Sequence, residues 1–593
     1  MVFPIYKVFI NGEGKMNIRE TANGKIIETK KYSVYVGGSK PHKFRLRAKN
    51  TDMFDMPFLS GLTRGEAQGE LLSRIEYSDW EVGENCVRIK LAANSSLWDA
   101  REFFWTFSED AIEFYHTARG SGGIERCFFF SNGVSDPYNN GGSMGLEYNT
   151  VIYAKKLFSP KPNLGNIHYY DISTPQSLGI ESEALPPASF APEQKSDGLF
   201  CPPLMCLCFG SHDEWAGIGI GDIPGRYCYN AFEYAGSRFA GASFYVNYFG
   251  YTSVEGEFKS PVAVICFAEG EYAVLEKYVD WLDDSGFSTQ FRCNPAKWHR
   301  MPFFCGWAEQ THLAYKRGVS ANTLATQTEY EFFLEQLGRH KMPVGNIVID
   351  DKWQKNYGTF NVDSGKWPDI KRFIEKRHSE GRHVLLWIPG YHREGLPEEL
   401  CVLDQNGNSV CADVTNPEYE KFLRGRIKEL ISDIGVDGFK EDWIPGSLPK
   451  KDCRMHKPMI GIEFLRKFQF ILHDEAHKWK PDALVETQTP FPLFRESSDM
   501  LRLNDLWFGT RDVVGVMRRR AKLARIAGWE LMDCDNGSSS YLDMWFEYML
   551  TQPSIGVPTL YCVSGTECTF EIIPPHMLEY IAQIWQKYID ERV

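Results

Sequence analysis

A lysine and an aspartate two residues apart end a short apolar run near residue 440. The run reads Val436-Asp437-Gly438-Phe439-Lys440-Glu441-Asp442. On a β-strand, alternate side chains share one face, so Lys440 and Asp442 point the same way while Glu441 points the other way. A neighbouring ammonium group keeps a carboxylate ionised, and an ionised carboxylate can attack a carbon electrophile. The pattern therefore indicates that Asp442 is suited to nucleophilic attack.

Acidic residues also stand at the ends of other predicted strands in the second half of the chain. They are Asp350 and Asp351, Asp442, Glu486, Asp505, and Asp533 with Asp535. Five tryptophans lie near the same strand ends: Trp307, Trp353, Trp387, Trp443 and Trp507. A single acid can cap a helix or anchor a loop, but a ring of acids and indoles is typical of a pocket for a polyhydroxylated ligand. Carboxylates accept hydrogen bonds from hydroxyl groups, and tryptophans stack on sugar rings.

The second half of the chain alternates between strand-like and helical patterns. Apolar runs predict strands at 303–307, 345–350, 383–388, 436–442, 483–488, 500–506, 530–535 and 558–563. Amphipathic segments predict helices at 329–337, 370–380, 418–434, 462–478, 513–526, 542–550 and 576–588. Eight strand-and-helix units predict a (β/α)8 TIM-type barrel over residues 299–593, with its active site at the C-terminal strand ends.

The first half of the chain has a different pattern. Up to residue 270, short alternating runs are separated by Gly, Asn and Ser, which predicts an antiparallel β-sandwich over residues 1–270. Residues 271–282 have helical spacing, so a linking helix and connector are predicted over 271–298. The protein is therefore predicted to be multidomain.

Composition excludes several classes of function. The net charge of −13 argues against nucleic-acid binding. No signal peptide or membrane-spanning run is apparent, and the 15 cysteines show no spacing framework, so a cytoplasmic protein with reduced thiols is expected. No glycine-rich phosphate loop follows a strand, and His312, His378, His383 and His392 show no paired ligand spacing. Neither a cofactor nor a metal is predicted.

Several motifs follow one another in a familiar order. The run that ends in Asp350-Asp351-Lys352-Trp353 is followed by motifs at 360–363, 366–369, 378–381 and 384–389, then by Lys440-Glu441-Asp442 and Arg502-Leu503-Asn504-Asp505. This order resembles the retaining α-glycosidases of glycoside hydrolase families 31 and 36, which have a Lys-x-Asp nucleophile strand. The resemblance covers roughly residues 300–565.

The resemblance implies a role for each matching residue. Asp442 would be the nucleophile and Asp505 the general acid/base. Asp350, Asp351, Lys440 and Arg502 would contact the sugar or orient the site, with Lys440 also keeping Asp442 anionic. Trp307, Trp353 and Trp387 would form the pocket. The expected activity is hydrolysis of terminal α-linked sugars by a retaining exo-α-glycosidase, with α-galactosides favoured over α-glucosides because relatives with Lys-x-Asp are often galactosidases.

Departures from the family pattern leave alternatives open. Most relatives carry an all-β domain after the barrel, which this sequence does not show. One expectation is that a second subunit covers that flank, so that the protein forms a homo-oligomer. The other expected partner is a glycoside substrate. Glu441 stands where relatives have an apolar or aromatic residue and would need a cationic partner such as Arg or Lys. A transglycosylase of the raffinose-synthase type and a non-catalytic sugar-binding protein remain alternatives, and the roles of Asp533 and Asp535 stay open.

Overall fold

The computed structural model describes residues 8–9, 16–37, 42–65, 69–131, 149–161, 169–180, 202–237, 241–442, 449, 452–506, 510–537 and 540–593. The first 21 strands, β1 to β21, are Val8–Phe9, Met16–Thr21, Gly24–Thr29, Tyr32–Gly37, Lys43–Ala48, Thr51–Pro57, Leu62–Arg64, Leu72–Tyr77, Glu81–Val82, Cys86–Ser95, Ala100–Ser108, Ala111–Phe129, Val151–Ile152, Lys156–Phe158, Tyr169–Tyr170, Gln176–Gly179, Cys206–Ser211, Glu214–Gly221, Ala231–Ser237, Gly241–Lys259 and Val262–Glu269. All their pairings are antiparallel.

These strands form two sheets that pack against each other. One has seven strands in the order β1-β2-β3-β4-β5-β6-β13, and the other has 14 strands with β12 near its centre. Aromatic rings join the two sheets: Phe44 of β5 meets Trp105 of β11 at 5.1 Å, and Phe54 of β6 meets Phe209 of β17 at 5.3 Å between ring centroids. The antiparallel N-terminal sheets predicted from the alternating pattern are therefore confirmed.

A helix and a connector lead from the sheets to a second, parallel sheet. Helix α1 (Glu271–Asp284) packs on β18 and β21, and a single 3-10 turn follows at Lys297–Arg300. The parallel strands are β22 (Phe303–Cys305), β23 (Asn346–Ile349), β24 (His383–Pro389), β27 (Gly438–Asp442), β28 (Leu484–Thr487), β29 (Met500–Arg502), β30 (Met532–Asp533) and β31 (Thr559–Leu560). A small hairpin, β25 (Cys401–Leu403) and β26 (Ser409–Ala412), lies between β24 and β27.

The eight parallel strands form a nearly closed barrel. Their order is β30-β29-β28-β27-β24-β23-β22-β31, and the two ends of this order meet through a parallel bridge between Asp533 and Val557. Seven of the eight strands fall within the predicted runs and are shorter than predicted, whereas β24 extends one residue beyond its run, to Pro389. Residue 307, expected at the end of a strand, instead begins a helix.

The α-helices that follow α1 surround this barrel. They are α2 (Trp307–Arg317), α3 (Gln327–Arg339), α4 (Ile370–Ser379), α5 (Pro417–Lys428), α6 (Gly461–Trp479), α7 (Val513–Ile526), α8 (Leu542–Ile555) and α9 (Pro575–Arg592). Four of these helices begin with a capping side chain. The side chains accept hydrogen bonds from the backbone of the first turns of α3, α4, α5 and α7, and they are Thr326, Asp369, Asn416 and Asp512, respectively.

The barrel departs from a regular (β/α)8 layout at one connection. Between β28 and β29, where a regular layout has an α-helix and the sequence pattern predicted none, the chain forms a 3-10 helix, Pro492–Ser497. Only residues 488–499 join these strands, and Pro490 and Pro492 restrict the backbone there, so the segment has no room for a packed α-helix. The domain boundaries at residues 270 and 298 stay a prediction. Within the described chain, no helix has both the length and the apolar character needed to cross a bilayer, and the 14 described cysteines are free thiols.

Candidate active site

The C-terminal ends of the barrel strands bring most of the predicted site residues to one edge. Because parallel strands end at the same rim, side chains from distant parts of the sequence meet there. They are Cys305 from β22, Asp350 and Asp351 after β23, Trp387 from β24, Lys440 and Asp442 from β27, Arg502 from β29, Asp535 after β30 and Tyr561 after β31. In register, Trp387 lies beside Lys440, and Lys440 lies beside Glu486.

Asp442 is held from two sides and remains open to solvent. The indole Nε1 of Trp387 donates a hydrogen bond to one carboxylate oxygen at 2.9 Å, and Nη1 of Arg502 lies 3.3 Å from the other oxygen. The side chain is 20% exposed, whereas Arg502 is fully buried. A buried guanidinium group favours the ionised form of its neighbour, so Asp442 is a fixed, accessible carboxylate.

The expected pairing of Lys440 with Asp442 needs correction. The Nζ of Lys440 lies 2.7 Å from Asp350 Oδ2, and both side chains are almost completely buried. Burial has the largest single effect and lowers the pKa of Lys440, but Asp350, Cys305 and Asp442 together raise that pKa well above its ordinary value, with Asp350 contributing most. Lys440 therefore forms its close ion pair with Asp350, while Arg502 lies within ion-pair distance of Asp442.

Arg502 bridges two carboxylates. Its Nε lies 3.0 Å from Asp535 Oδ2, and its Nη1 also donates to the backbone carbonyl of Glu441 at 3.0 Å. The hydroxyl of Tyr561 donates to the other oxygen of Asp535. Asp535, whose role the sequence left open, thus anchors the guanidinium group that holds Asp442.

Asp505 follows β29 and is only half-buried. Burial, followed by the charges of Asp535 and Asp442, raises the pKa of Asp505 well above its ordinary value, while the charge of Arg502 lowers it. A carboxyl group that stays protonated beside a fixed carboxylate can donate a proton. Asp442 and Asp505 thus lie close enough for the charge of Asp442 to raise the pKa of Asp505, and their surroundings favour an ionised Asp442 and a protonated Asp505.

Sequence reasoning missed the residue that shapes the Asp505 segment. Nη1 of Arg520, in α7, donates to the backbone carbonyls of Leu503, Asn504 and Asp505 at 2.7, 2.7 and 3.0 Å. Asn504 has a positive φ of 68° and accepts the backbone N–H of Asp505 at 2.8 Å. The only sequence signal was an arginine at an inward-facing position of an amphipathic helix, which does not reveal its partner.

Asp350 and Asp351 lie at the floor of the site. The backbone N–H of Asp351 donates to Asp350 Oδ1 at 2.8 Å, and the hydroxyl of Tyr357 donates to Asp351 Oδ1 at 2.8 Å. Burial raises the pKa of Asp351 to about 7, although the Tyr357 hydrogen bond opposes this. The thiol of Cys305 donates to Asp350 Oδ2 at 2.9 Å, so Asp350 is tied to both Cys305 and Lys440.

The predicted tryptophans differ in exposure, since Trp353 is fully buried and Trp307 is partly exposed. Trp353 has no exposed surface and its Nε1 donates to the backbone carbonyl of Trp387 at 2.6 Å, so its expected contact with the sugar is corrected to support of Trp387. Trp307 is partly exposed, and its Nε1 donates to Glu567 at 3.1 Å. Trp443 and Trp507 lie outside the described residues.

Glu486, also predicted at the rim, differs from the other acids because its carboxyl group is buried without a hydrogen-bond partner among the described residues. Burial, and then the charge of Asp533, raises the pKa of Glu486 well above its ordinary value. Glu486 is therefore a buried acid whose surroundings favour its protonated form.

Glu441 points away from the site and lacks the cationic side-chain partner that the sequence led us to expect. Its Oε2 accepts a hydrogen bond from the Gln469 amide at 2.5 Å, and Oε1 has no partner in the described structure. Burial raises the pKa of Glu441 to about 8, although Gln469 and Arg502 lower it. A neutral carboxyl group can be buried without a cationic partner because no charge has to be removed from water.

Glu441→Gln is expected to remove a pH-dependent loss of stability. The folded-state pKa of about 8 exceeds the ordinary value of 4.5, so the protonated carboxyl stabilises the folded protein fully below pH 4.5. That stability is lost as pH rises through 8. Glutamine keeps an acceptor for Gln469 and does not ionise. The free energy of unfolding of the variant should therefore exceed that of the wild type increasingly between pH 5 and 8, by about 5 kcal/mol at most, and its melting temperature should rise accordingly.

Thermal unfolding of both proteins across this pH range measures the effect. Glu398→Gln, an exposed change in the same barrel, is the matched control and should follow the wild-type pH dependence. Parallel pH profiles for Glu441→Gln and the wild type would contradict the assignment of Glu441 as a buried neutral acid.

Within the described residues, the pocket at this rim holds no group of three or more His, Cys, Asp or Glu side chains with metal-ligand spacing. The chemistry available here is that of several carboxyl groups, with Asp442 and Asp505 among them, a guanidinium group and an ammonium group. This arrangement can supply a nucleophile, a proton donor and hydrogen bonds to hydroxyl groups.

Comparisons with known proteins point to one family for part of this chain. Residues 310–480 match the model of the Glycosyl hydrolases family 31 TIM-barrel domain. This segment contains β23, β24 and β27, and with them Asp350, Asp351, Lys440 and Asp442. Asp505 lies beyond it, and the family 36 part of the resemblance stays a prediction.

Two curated proteins match shorter parts of the chain. The Myogenesis-regulating glycosidase of Mus musculus is 25% identical over 191 residues, which is 29% of this chain and 25% of that protein. Alpha-xylosidase XylQ of Lactiplantibacillus pentosus is 26% identical over 130 residues, which is 19% of this chain and 17% of that protein. The chain thus matches a quarter or less of the length of these relatives.

Solved structures resemble the chain over almost its whole length. A GH31 family sulfoquinovosidase from E. rectale superposes with a TM-score of 0.55 at 11% identity, covering 98% of this chain and 83% of that one. The alpha-galactosidase from Lactobacillus brevis gives a TM-score of 0.51 at 10% identity, covering 98% and 84%. At such identities the likeness shows a shared fold.

Proposed function

We propose that the protein is a retaining α-glycosidase of the family 31 type, which hydrolyses terminal α-linked sugars. The observation that carries the proposal is the pair formed by Asp442 and Asp505. Asp442 is fixed by Arg502 and Trp387 and is partly exposed, whereas the pKa of Asp505 is raised by burial and by neighbouring carboxylates. A retaining reaction needs one ionised and one protonated carboxyl group at the same rim.

In the proposed first step, Asp442 attacks the anomeric carbon. A bond forms between a carboxylate oxygen and that carbon while the bond to the leaving oxygen breaks, and Asp505 gives its proton to that oxygen. In the second step a water molecule attacks the same carbon, Asp505 takes the proton of the water, and Asp442 leaves as a carboxylate. Two inversions give retention of configuration.

The remaining polar residues would bind and orient the sugar. Asp350 and Asp351 would accept hydrogen bonds from ring hydroxyl groups, and Lys440 would keep Asp350 ionised through their 2.7 Å ion pair. Arg502 would orient Asp442, and the partly exposed indole of Trp307 would offer an apolar surface at the rim. Trp387 would hold Asp442 at the angle needed for attack.

The sugar itself is the least determined part of the proposal. The Lys-x-Asp form of the β27 strand favours α-galactosides over α-glucosides. Matched relatives and similar folds are named for α-xylosidase, sulfoquinovosidase and α-galactosidase activity, which widens the set of sugars worth testing. The side chains at the rim serve any of these substrates chemically, because each presents hydroxyl groups around an α-linked anomeric carbon.

A panel of 4-nitrophenyl α-glycosides tests the proposal. We expect turnover of at least one of the α-galactoside, α-glucoside and α-xyloside, no turnover of the matching β-glycoside, and release of the sugar first as its α-anomer. The anomer is read by proton NMR within the first minutes of reaction. Release of the β-anomer would contradict the retaining mechanism, and absence of turnover across α-linked sugars, including a sulfoquinovoside, would contradict the proposed activity.

A further inference from the structure

A second group of reactive side chains lies at the opposite end of the barrel. Cys293 belongs to the connector before β22, His473 and His477 stand on α6, and Asp499 immediately precedes β29. One donor atom from each lies within 4.8 Å of the other three. Asp499 is at the N-terminal end of its strand, so the group is separated from the proposed active site by the length of the barrel.

The geometry of the group comes from helix periodicity. His473 and His477 are four residues apart, so their rings lie on one face of α6, with ring centroids 4.1 Å apart. Nε2 of His473 lies 3.0 Å from Asp499 Oδ1, and Nε2 of His477 lies 2.9 Å from Oδ2. Cys293 Sγ lies 3.3 Å from Nδ1 of His477 and completes the group.

Neighbouring backbone groups orient two of these side chains. Nδ1 of His477 is 2.9 Å from the carbonyl of Pro481, and the backbone N–H of Val485 donates to Asp499 Oδ2 at 2.8 Å. Metal-binding histidines and carboxylates are commonly held by such outer partners. The Nε2 atoms of both histidines and the two oxygens of Asp499 contact one another inside the group, so a cation would bind by replacing these contacts.

One donor atom is left unused by the hydrogen bonds within the group. His473 is only 1% exposed, and its Nδ1 has no hydrogen-bond partner among the described residues. An unpartnered ring nitrogen at this depth costs free energy, and part of that cost is recovered if a cation replaces the contact with Asp499 and the ring turns. The hydrogen bonds within the group therefore leave one of its buried ring nitrogens unsatisfied.

The donor set matches the preferences of one metal. Zn²⁺ takes four ligands from cysteine, histidine and aspartate in a tetrahedron, with Zn–S of about 2.3 Å and Zn–N of about 2.0–2.1 Å. Ligand atoms in such a tetrahedron are about 3.3–3.8 Å apart, so the present group needs to contract by about 1 Å at its widest. One thiolate and one carboxylate balance the charge of the ion, and the nearby Arg292 is already paired with Asp474 at 3.0 Å.

We propose that Cys293, His473, His477 and Asp499 form a structural zinc site at the N-terminal edge of the barrel. Four protein ligands leave no open position for a substrate, which is typical of structural zinc. The ion joins the connector to α6 and to the start of β29. Its role is to fix the chain where it passes from the N-terminal sheets into the barrel, and it is independent of the proposed glycosidase activity.

Metal analysis of the full-length protein tests the site. The protein is treated with a chelator, dialysed, and titrated with Zn²⁺, and a parallel sample receives Co²⁺. We expect one zinc ion per chain, a melting temperature that rises with free zinc, and a cobalt spectrum with a thiolate-to-cobalt charge-transfer band and tetrahedral d–d bands.

Two variants and one control identify the ligands. Cys293→Ser should abolish the charge-transfer band and weaken zinc binding by at least about 100-fold, more than loss of an outer partner does, and His477→Ala should weaken binding similarly. Cys86→Ser, also partly exposed but in β10, should behave as the wild type. The proposal is overturned if the wild type binds no zinc, or if its cobalt spectrum lacks a thiolate band or is unchanged by Cys293→Ser.

Discussion

Asp442→Asn is expected to lower kcat on the best α-glycoside by about 10⁴-fold or more, equivalent to roughly 5.5 kcal/mol of transition-state stabilisation. The amide has nearly the shape of the carboxylate and can still accept the indole N–H of Trp387, which lies 2.9 Å from Asp442 in the wild type. It cannot form the glycosyl–enzyme bond, because a neutral amide is a poor nucleophile. Steady-state kinetics with the aryl glycoside from the panel measures the loss.

The design of this test separates chemistry from folding. Arg502 keeps its partner Asp535, whose Oδ2 lies 3.0 Å from Nε, so the guanidinium group is not left uncompensated. The melting temperature should therefore stay close to that of the wild type. Asp590→Asn, an exposed change on α9, is the matched control and should retain full kcat. An Asp442→Asn protein that stays within tenfold of the wild type would refute its role as the nucleophile.

The barrel could be predicted because its strands carry a strong local signal. Short apolar runs at regular spacing are buried on both faces in a parallel barrel, and all eight lie where the pattern indicated. The ends were less predictable, since a residue such as Trp307 is compatible with both a strand end and a helix start. The missing α-helix between β28 and β29 follows from the length and proline content of that segment.

The contacts of the site were harder to predict than its residues. Spacing along β27 shows that Lys440 and Asp442 share a face, but not that Asp350, 90 residues away, reaches Lys440. Arg520 and Asp535 act through partners that lie on other elements. Such long-range ion pairs depend on how strands are staggered around the barrel, which a local pattern does not contain. The pair His473 and His477 did carry a local signal, namely two histidines one helical turn apart.

Asp505→Ala is expected to show an effect that depends on the leaving group. A general acid contributes about 10²–10⁴-fold, and that contribution is needed most when the departing oxygen is basic. We therefore expect kcat/KM for an alkyl or disaccharide substrate to fall by about 10³–10⁴-fold, while a 2,4-dinitrophenyl glycoside should lose far less, because its leaving group departs without protonation. Comparison of the two substrates for the wild type and the variant measures this difference.

The pH profile supplies the second part of the same test. Burial and the charges of Asp535 and Asp442 raise the pKa of Asp505, so the wild type should keep its proton donor to a higher pH than an ordinary aspartate would and lose activity as pH rises through that raised pKa. In Asp505→Ala this basic limb should disappear, and added azide, which needs no general base, should accelerate turnover of the dinitrophenyl glycoside and yield a glycosyl azide. Asp590→Asn should keep the limb and show no response to azide. Equal losses on both substrates with an unchanged basic limb would assign the proton transfer to another acid and leave the Asp505 side chain without a catalytic role.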